Sequence, residues 1–236
     1  MSVIAIHSAP SQWFVSCVMP TTARRSKFLP LAIRCFIDQK LKDKELLIVA
    51  DPDQLIVLPD FARNRKDIRI VRAGPLLGAK HNAAKEEARG NYIAKTDDDD
   101  YFGPRRLLHQ LEPIALGRAD CTAYPDSHSL DLVRGQWMYS KKNNMWPFHD
   151  ATLFFDKNAC REIEFGNIRA GEGLIFARRL RRMGLRLLVI ENFQDFVYMR
   201  HGRNTWRFRH YKLYNPSKRP SFFSPDLETQ YRNAIR

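Results

Sequence analysis

The sequence predicts an α/β fold, a mostly parallel sheet covered by helices. Three observations predict it. Short apolar runs of strand length alternate with segments of helical periodicity, giving the order β-α-β-β-α-β over the N-terminal half. The runs are bounded by proline, aspartate or glycine, the residues that end strands in loops. Acidic residues stand at the C-terminal ends of two of them, where ligands of such sheets bind.

Residues 13–20, WFVSCVMP, form a β-branched apolar run ended by proline, a buried strand opening into TTARRS. From Phe28 to Gln39, Leu31, Ile33, Phe36 and Ile37 recur at near-helical spacing behind Pro30, a favourable first-turn residue. ELLIVADP, residues 45–52, is a second buried strand ending in Asp51 and Pro52, and IRIVRAG, residues 68–74, is a third closed by glycine. After Gly78, AKHNAAKEEARG has the composition of an exposed helix with a glycine C-cap, and NYIAKTDDDD resumes a strand. A helix from Arg105 through Leu116, a β-rich stretch to Phe155, a helix from Gly171 to Met183 and the strand LRLLVIEN follow. The tail from Asn215, with Pro216, Pro220, Pro225 and the pair Phe222-Phe223, suits a lid, a docking segment or a disordered end.

With 236 residues, 44% hydrophobic and 28% charged, the chain has the composition of a globular protein with a sizeable core. Cys17, Cys35, Cys121 and Cys160 are widely spaced, without the C-x-x-C pairing of a zinc or redox site, and suit a reducing cytoplasm. The opening residues are too polar for a signal peptide and no apolar run is long enough to span a bilayer, so a soluble or membrane-peripheral protein is expected. Thirty-nine Lys and Arg against 26 Asp and Glu give a net charge of +13, a field that attracts nucleotide phosphates, nucleic acid or an anionic membrane. The cations gather late, in Arg178, Arg179, Arg181, Arg182 and Arg186, then in Arg200, Arg203, Arg207, Arg209 and Lys212.

Asp97, Asp98, Asp99 and Asp100 stand consecutively at a strand end. Their mutual repulsion asks for a cation in the same space. Mg²⁺ or Mn²⁺ is the natural compensator, because hard cations take carboxylate oxygens together with substrate phosphates. A helix N-cap, the simpler use of an acid before PRRLLHQLEPI, needs one aspartate and not four.

VSCVMPTTARRSKFLPLAIRCFIDQKLKDKELLIVAD and GAKHNAAKEEARGNYIAKTDDDDYFGPRRL resemble the family 2 glycosyltransferases of GT-A fold, over residues 13 to 116. The resemblance implies a nucleotide-sugar-binding half over residues 1–116, an acceptor-binding half over 117–214 and a tail over 215–236. It puts the D-x-D motif on Asp97, Asp98 and Asp99 before Pro104, with Asp99 a direct metal ligand. It implies that Pro20 and Thr21 border the nucleotide base and that Asp51 hydrogen-bonds it. Lys80, His81 and Asn82 take the position of a basic residue near the diphosphate, with His-Asn where the family has Arg-Asn, and Ala50 stands where an acid would precede Asp51. Further on, NIRAGEGLIFARRLRRMGL resembles the family's acidic motif at a helix start. Glu172 falls on its first acid and becomes the catalytic base; Gly173 replaces the second. FVYMRHGRNTW resembles the family's ending, in which His201 reaches back to the metal and Arg200, Arg203 and Asn204 hold diphosphate oxygens. Trp146 and Trp206 are candidates for stacking on a sugar, although packing is the commoner use of such rings.

The implied reaction is an inverting transfer of a sugar, a hexose, from a nucleotide-sugar, foremost a UDP-sugar, to an acceptor hydroxyl. A saccharide, a lipid-linked glycan at an anionic membrane or DNA bearing a modified base are the acceptor classes, and the basic C-terminal third suits the last two. A nucleotidyltransferase would share the layered fold but calls for a glycine-rich loop, which TTARRS is not. A non-enzymatic nucleic-acid binder accounts for the charge and leaves the aspartates without a purpose.

Overall fold

The computed structural model describes residues 14–125, 128–140, 148–192, 194–205 and 214–235. The first half of the chain runs in the order β1 (Val15–Pro20), α1 (Leu29–Ile37), β2 (Lys44–Ala50), the one-turn α2 (Asp60–Arg63), β3 (Ile68–Arg72), α3 (Leu77–Glu87), β4 (Tyr92–Lys95) and the short β5 (Tyr101–Phe102). There follow α4 (Arg106–Ala115), β6 (Cys121–Ala123), β7 (His128–Asp131), β8 (Gln136–Ser140), β9 (Phe154–Asp156), α5 (Glu172–Arg182), β10 (Leu187–Val189), β11 (Phe196–Arg200), β12 (Tyr214–Pro216) and α6 (Pro225–Ala234). The predicted alternation is present, with α2 as an added turn between the second and third strands.

A seven-stranded sheet runs in the order β10-β6-β9-β4-β1-β2-β3. β1 pairs in parallel with β2 and β4, β2 with β3, and β10 with β6; β9 alone runs antiparallel to its neighbours β4 and β6. Strands buried on both faces need no polar alternation, which is why β1 and β2 are mostly apolar, with the buried Ser16 hydroxyl donating to Glu45 Oε1 at 2.7 Å. Val15, Cys17 and Met19 of β1 with Leu46 and Ile48 of β2 pack on one side against Ile33 and Phe36 of α1 and Leu107 and Leu111 of α4. Val18, Leu47 and Val49 face the other side, with Ala84 of α3, Phe155 of β9 and Phe176 and Leu180 of α5.

The predicted glycine cap of α3 is not one. Ala88 caps the helix in extended conformation, and Gly90 serves a close approach, since a Cβ there would lie 2.6 Å from the Phe14 carbonyl oxygen and the Ser16 nitrogen. Nor is α3 simply an exposed helix: Gly78, Lys80, His81, Ala84 and Lys85 are buried. Its N-terminus fits because Gly78 has no side chain, a Cβ there falling 1.7 Å from the Gly166 carbonyl oxygen.

A second sheet, β12-β8-β7-β11-β5, stands beside the first. The C-terminal tail is an ordered part of it. Ser224 caps α6, accepting from the Leu227 N–H at 3.1 Å, with Pro225 in the first turn. Phe223 and Tyr231 then pack on Leu130, Trp137, Val197 and Met199. The Tyr231 hydroxyl donates to the Asp100 carbonyl at 3.0 Å, so α6 props the aspartate run from below.

Tyr231→Phe keeps the ring and deletes that donor. It is expected to cost about 1–2 kcal/mol, read as a lower urea midpoint with an unchanged denaturation slope. An unchanged midpoint would show that α6 does not support the aspartate loop.

Candidate active site

The chain runs outward from β1 through β2 to β3 and then returns to the far side of β1 as β4. The crevice beyond the carboxyl ends of β1 and β4 is therefore a topological switch point, where such sheets take ligands. A cleft of about 450 Å³ opens there, lined by Pro20, Thr21, Lys80, Asp97, Asp98 and Asp99, with Lys95, Asp150 and Glu172 on a further wall. That volume suits a small-molecule ligand.

The four aspartates have four environments. Asp98 turns to the loop after β1, accepting from Thr21 Oγ1 at 2.6 Å and Arg25 Nε at 2.8 Å. Arg25 Nη2 pairs with Asp98 at 2.6 Å and also with Asp99, so one guanidinium bridges two carboxylates. His201 Nε2, delivered by the end of β11, lies 2.7 Å from Asp99 Oδ2, and its ring packs 4.6 Å from that of Phe28. Asp100 points into the fold: Oδ1 accepts the Met199 N–H at 2.9 Å, and Oδ2 is buried without a hydrogen-bond partner. Asp97, Asp99 and Asp100 still bring one carboxylate oxygen each to within 4.8 Å of one another.

Crowding sets the electrostatics. Burial, with Asp99, Asp150 and Glu172 nearby, outweighs Lys95 and pushes the Asp97 carboxyl up to about 7. Burial and then Asp99 and Asp97 raise Asp100 well above the usual carboxylate range. Burial would raise Asp99 too, yet Arg25 and His201 hold it below its ordinary value. A divalent cation fits this donor set. Hard oxygen donors converge, one buried oxygen of Asp100 lacks a partner, and the raised carboxyls mark a local deficit of positive charge.

The further wall is built around Lys95, the last residue of β4. Its ammonium is buried and donates to Asp150 Oδ1 at 2.5 Å and Glu172 Oε1 at 2.6 Å. Burial would lower this ammonium, but the two carboxylates raise it well above the ordinary lysine value. Glu172 opens α5 behind Gly171, whose φ of 81° is the left-handed conformation that favours glycine. Burial raises the Glu172 carboxyl against the opposing pull of Lys95.

Pro20, Thr21, Lys80, Asp97, Asp98, Asp99 and Glu172 thus meet at one cleft, as the sequence brought them together on paper. Asp51 stands behind them, ion-paired with Lys80 at 3.0 Å, while Lys80 Nζ donates to the Thr21 carbonyl at 2.7 Å. His81 and Asn82 do not reach the cleft. His81 packs on Phe165 with ring centroids 4.8 Å apart, and burial followed by Lys95 and Lys80 depresses it well below the usual imidazole value, so it offers no cation. Asn82 exchanges two hydrogen bonds with the Phe165 backbone, tying α3 to the chain that leads into α5. Arg200 is buried, its guanidinium 6.0 Å from the Tyr214 ring centroid, and Arg203 is exposed; neither lines the cleft, whereas Asn204 does. Among the described residues, the cations that line the cleft are Arg25, Lys80, Lys95 and Arg169. Trp146 and Trp206 lie outside the described residues.

Sequence reasoning missed Arg25, Lys95 and Asp150. Lys95 carried a signal, since a lysine inside the apolar run YIAK cannot be buried without anionic partners. Arg25 is one of two adjacent arginines in a loop, indistinguishable by sequence. Asp150 had no local signal, because its partner lies 55 residues away.

Residues 16–165 match the family model described as glycosyl transferase family 2. The chain is 33% identical over 110 residues to an uncharacterized glycosyltransferase, MJ1057, of Methanocaldococcus jannaschii, covering 44% of this chain and 38% of that protein. It is 31% identical over 107 residues to the uncharacterized glycosyltransferase EpsJ of Bacillus subtilis, covering 42% of this chain and 31% of that one. The matches thus span only about a third of each relative's length. The structure resembles S. aureus TarS 1–349 in complex with UDP, with a TM-score of 0.61 and 15% identity over 79% of this chain and 60% of that one. It also resembles the mannosyltransferase PcManGT from Pyrobaculum calidifontis in complex with GDP-Man and Mn²⁺, with a TM-score of 0.55 and 15% identity over 81% of this chain and 58% of that one. At these identities the likeness establishes the shared GT-A architecture. No helix among the described residues is long and apolar enough to cross a membrane.

Asp97 gives a signed pH dependence. Its folded value of about 7 lies above the ordinary 3.8, so its contribution to stability is full below about pH 4 and is lost as pH rises through 7. Asp97→Asn is expected to flatten that part of the metal-free stability profile and to leave Mn²⁺ giving less protection. Thermal melts from pH 4 to 8, with and without Mn²⁺, read both; an unaltered profile would show that Asp97 ionises freely.

Proposed function

Because this chain belongs to glycosyl transferase family 2, we propose that it moves a sugar from a nucleotide-sugar donor to an acceptor hydroxyl with inversion at the anomeric carbon. The observation that carries the proposal is the cleft at the switch point, where the D-x-D carboxylates face Pro20, Thr21 and Lys80 on one side and the Glu172–Lys95–Asp150 cluster on the other. A donor has one end to anchor and the other to expose, and the two walls divide those tasks.

Pro20 and Thr21 border the nucleotide, with Asp51 behind them holding Lys80 in place. Lys80 and Arg25 face the diphosphate. Asp99, with Asp97 and Asp100 beside it and His201 Nε2 2.7 Å from its Oδ2, would hold a divalent cation, Mn²⁺ or Mg²⁺. Bound there, such an ion supplies charge neutralisation for the departing diphosphate. The acceptor approaches from the wall of Glu172 and Asp150, where a carboxylate takes up its hydroxyl proton. A UDP-sugar donor, with a hexose as the sugar, is the first choice, supported by the UDP complex of TarS. The net charge of +13 favours an anionic acceptor, a membrane-associated glycan or DNA, acted on in the cytoplasm or at a membrane surface.

Calorimetric titration of UDP should show binding that requires Mn²⁺, with Asp99→Ala weakening it by about tenfold or more, the scale of one lost charge-assisted contact of about 1.5–3 kcal/mol. Absence of binding by UDP and by GDP, with either metal, would overturn the proposal.

A further inference from the structure

We propose that Asp150 is the catalytic base, and that Gly173 is a glycine so that the Asp150 carboxylate can occupy the place a side chain beside Glu172 would otherwise take. The proposal rests on the sugar transfer set out above and assigns the proton in it to one atom group.

A Cβ built on Gly173 would lie 2.2 Å from Asp150 Oδ1, 2.7 Å from its Cγ and 2.9 Å from Leu153 Cδ1. Contacts that short do not occur, so a side chain at position 173 would displace the Asp150 carboxylate from the place it occupies. Glycine inside a helix costs about 1 kcal/mol relative to alanine, and α5 carries it in its first turn. The space so opened holds a carboxylate that comes from a different part of the chain.

Access separates the two acids. The Glu172 side chain is 1% exposed and Asp150 is 25% exposed, and both border the cleft. A base must reach the acceptor oxygen, and Asp150 is the one with open surface there. Glu172 is a positioning residue: with Asp150 it accepts from Lys95 Nζ, at 2.6 and 2.5 Å. The segment around Asp150 is held by its neighbours. Thr152 Oγ1 donates to the His149 carbonyl at 2.6 Å and accepts from the Tyr124 N–H at 2.9 Å, while the His149 ring packs 4.8 Å from both Phe196 and Tyr198.

In the step itself the acceptor O–H bond breaks and its proton passes to the Asp150 carboxylate. The freed oxygen pair forms the new bond to the anomeric carbon, and the bond from that carbon to the diphosphate oxygen breaks with its electron pair remaining on the diphosphate.

The test uses UDP-GlcNAc and GDP-mannose with Mn²⁺ and water as acceptor. Asp150→Ala and the isosteric Asp150→Asn should bind donor as the wild type does, by titration, and lose about 100-fold or more in donor hydrolysis, the usual contribution of a general base. Azide, an anion that needs no deprotonation, should restore turnover to Asp150→Ala and yield the inverted glycosyl azide. The double variant D150A/G173D, which returns an acid to the vacated space, should regain part of the hydrolysis. Retention of hydrolysis within about threefold in both single variants, or azide rescue of Glu172→Gln and not of Asp150→Ala, would overturn the assignment and leave sugar transfer standing. Wild-type protein that neither binds nor cleaves either donor would sink the transfer and the assignment with it.

Discussion

Four carboxylates at the end of one strand impose a shortage of positive charge that the rest of the fold is arranged to meet. Each partner comes from a different element: Arg25 from the loop after β1 pairs with Asp98 and Asp99, Lys95 of β4 acts on Asp97, and His201 Nε2 from the end of β11 lies 2.7 Å from Asp99. Lys80 of α3 is shared between Asp51 and the Thr21 carbonyl at the same rim. Charges taken out of water are tolerable only when geometry and hydrogen bonding are good. Here the geometry is secured by Arg106, a buried arginine whose guanidinium donates to the Lys95 carbonyl and, at 3.2 Å, to Thr96 Oγ1. It clamps the strand just before the aspartates begin, so their positions follow from a backbone held on both sides.

The second sheet and the C-terminal helix read differently in this light. β11 carries His201 to Asp99 and offers the Met199 N–H to Asp100, while α6 places the Tyr231 hydroxyl under the Asp100 carbonyl. The aspartate loop is therefore braced by distant parts of the chain, at separations of 99, 102 and 131 residues. A ligand-binding loop supported only by its own strand would open readily, since local stability follows local contacts.

Glycines mark where two segments had to come closer than side chains allow. Gly78 admits the chain at Gly166, Gly90 admits β1, and Gly173 admits Asp150. Gly171 instead supplies a left-handed turn that aims Glu172 inward. The first two serve packing and the last two serve the cleft, where helix propensity gives way to the placement of charge.

The sequence by itself determined the α/β alternation, because apolar runs and helical periodicity follow from burying a sheet on both faces, and it located the acidic strand end that such a sheet presents to ligands. The resemblance of its motifs to the family also implied that Pro20, Thr21, Lys80, Asp97, Asp98, Asp99 and Glu172 share one site, and they line one cleft. Only the tertiary structure decided how those acids are neutralised. Arg25 differs from Arg24 only in which way a loop turns, Asp150 meets Lys95 only after β4 and the turn before β9 are packed, and His81, Asn82, Arg200 and Arg203 leave the cleft because their side chains find partners elsewhere in the core or in solvent. The tail became a structural brace for the same reason: its aromatic residues cover a second sheet that no local pattern announces. Periodicity is a property of neighbours along the chain, whereas charge compensation is settled between residues that meet only in space.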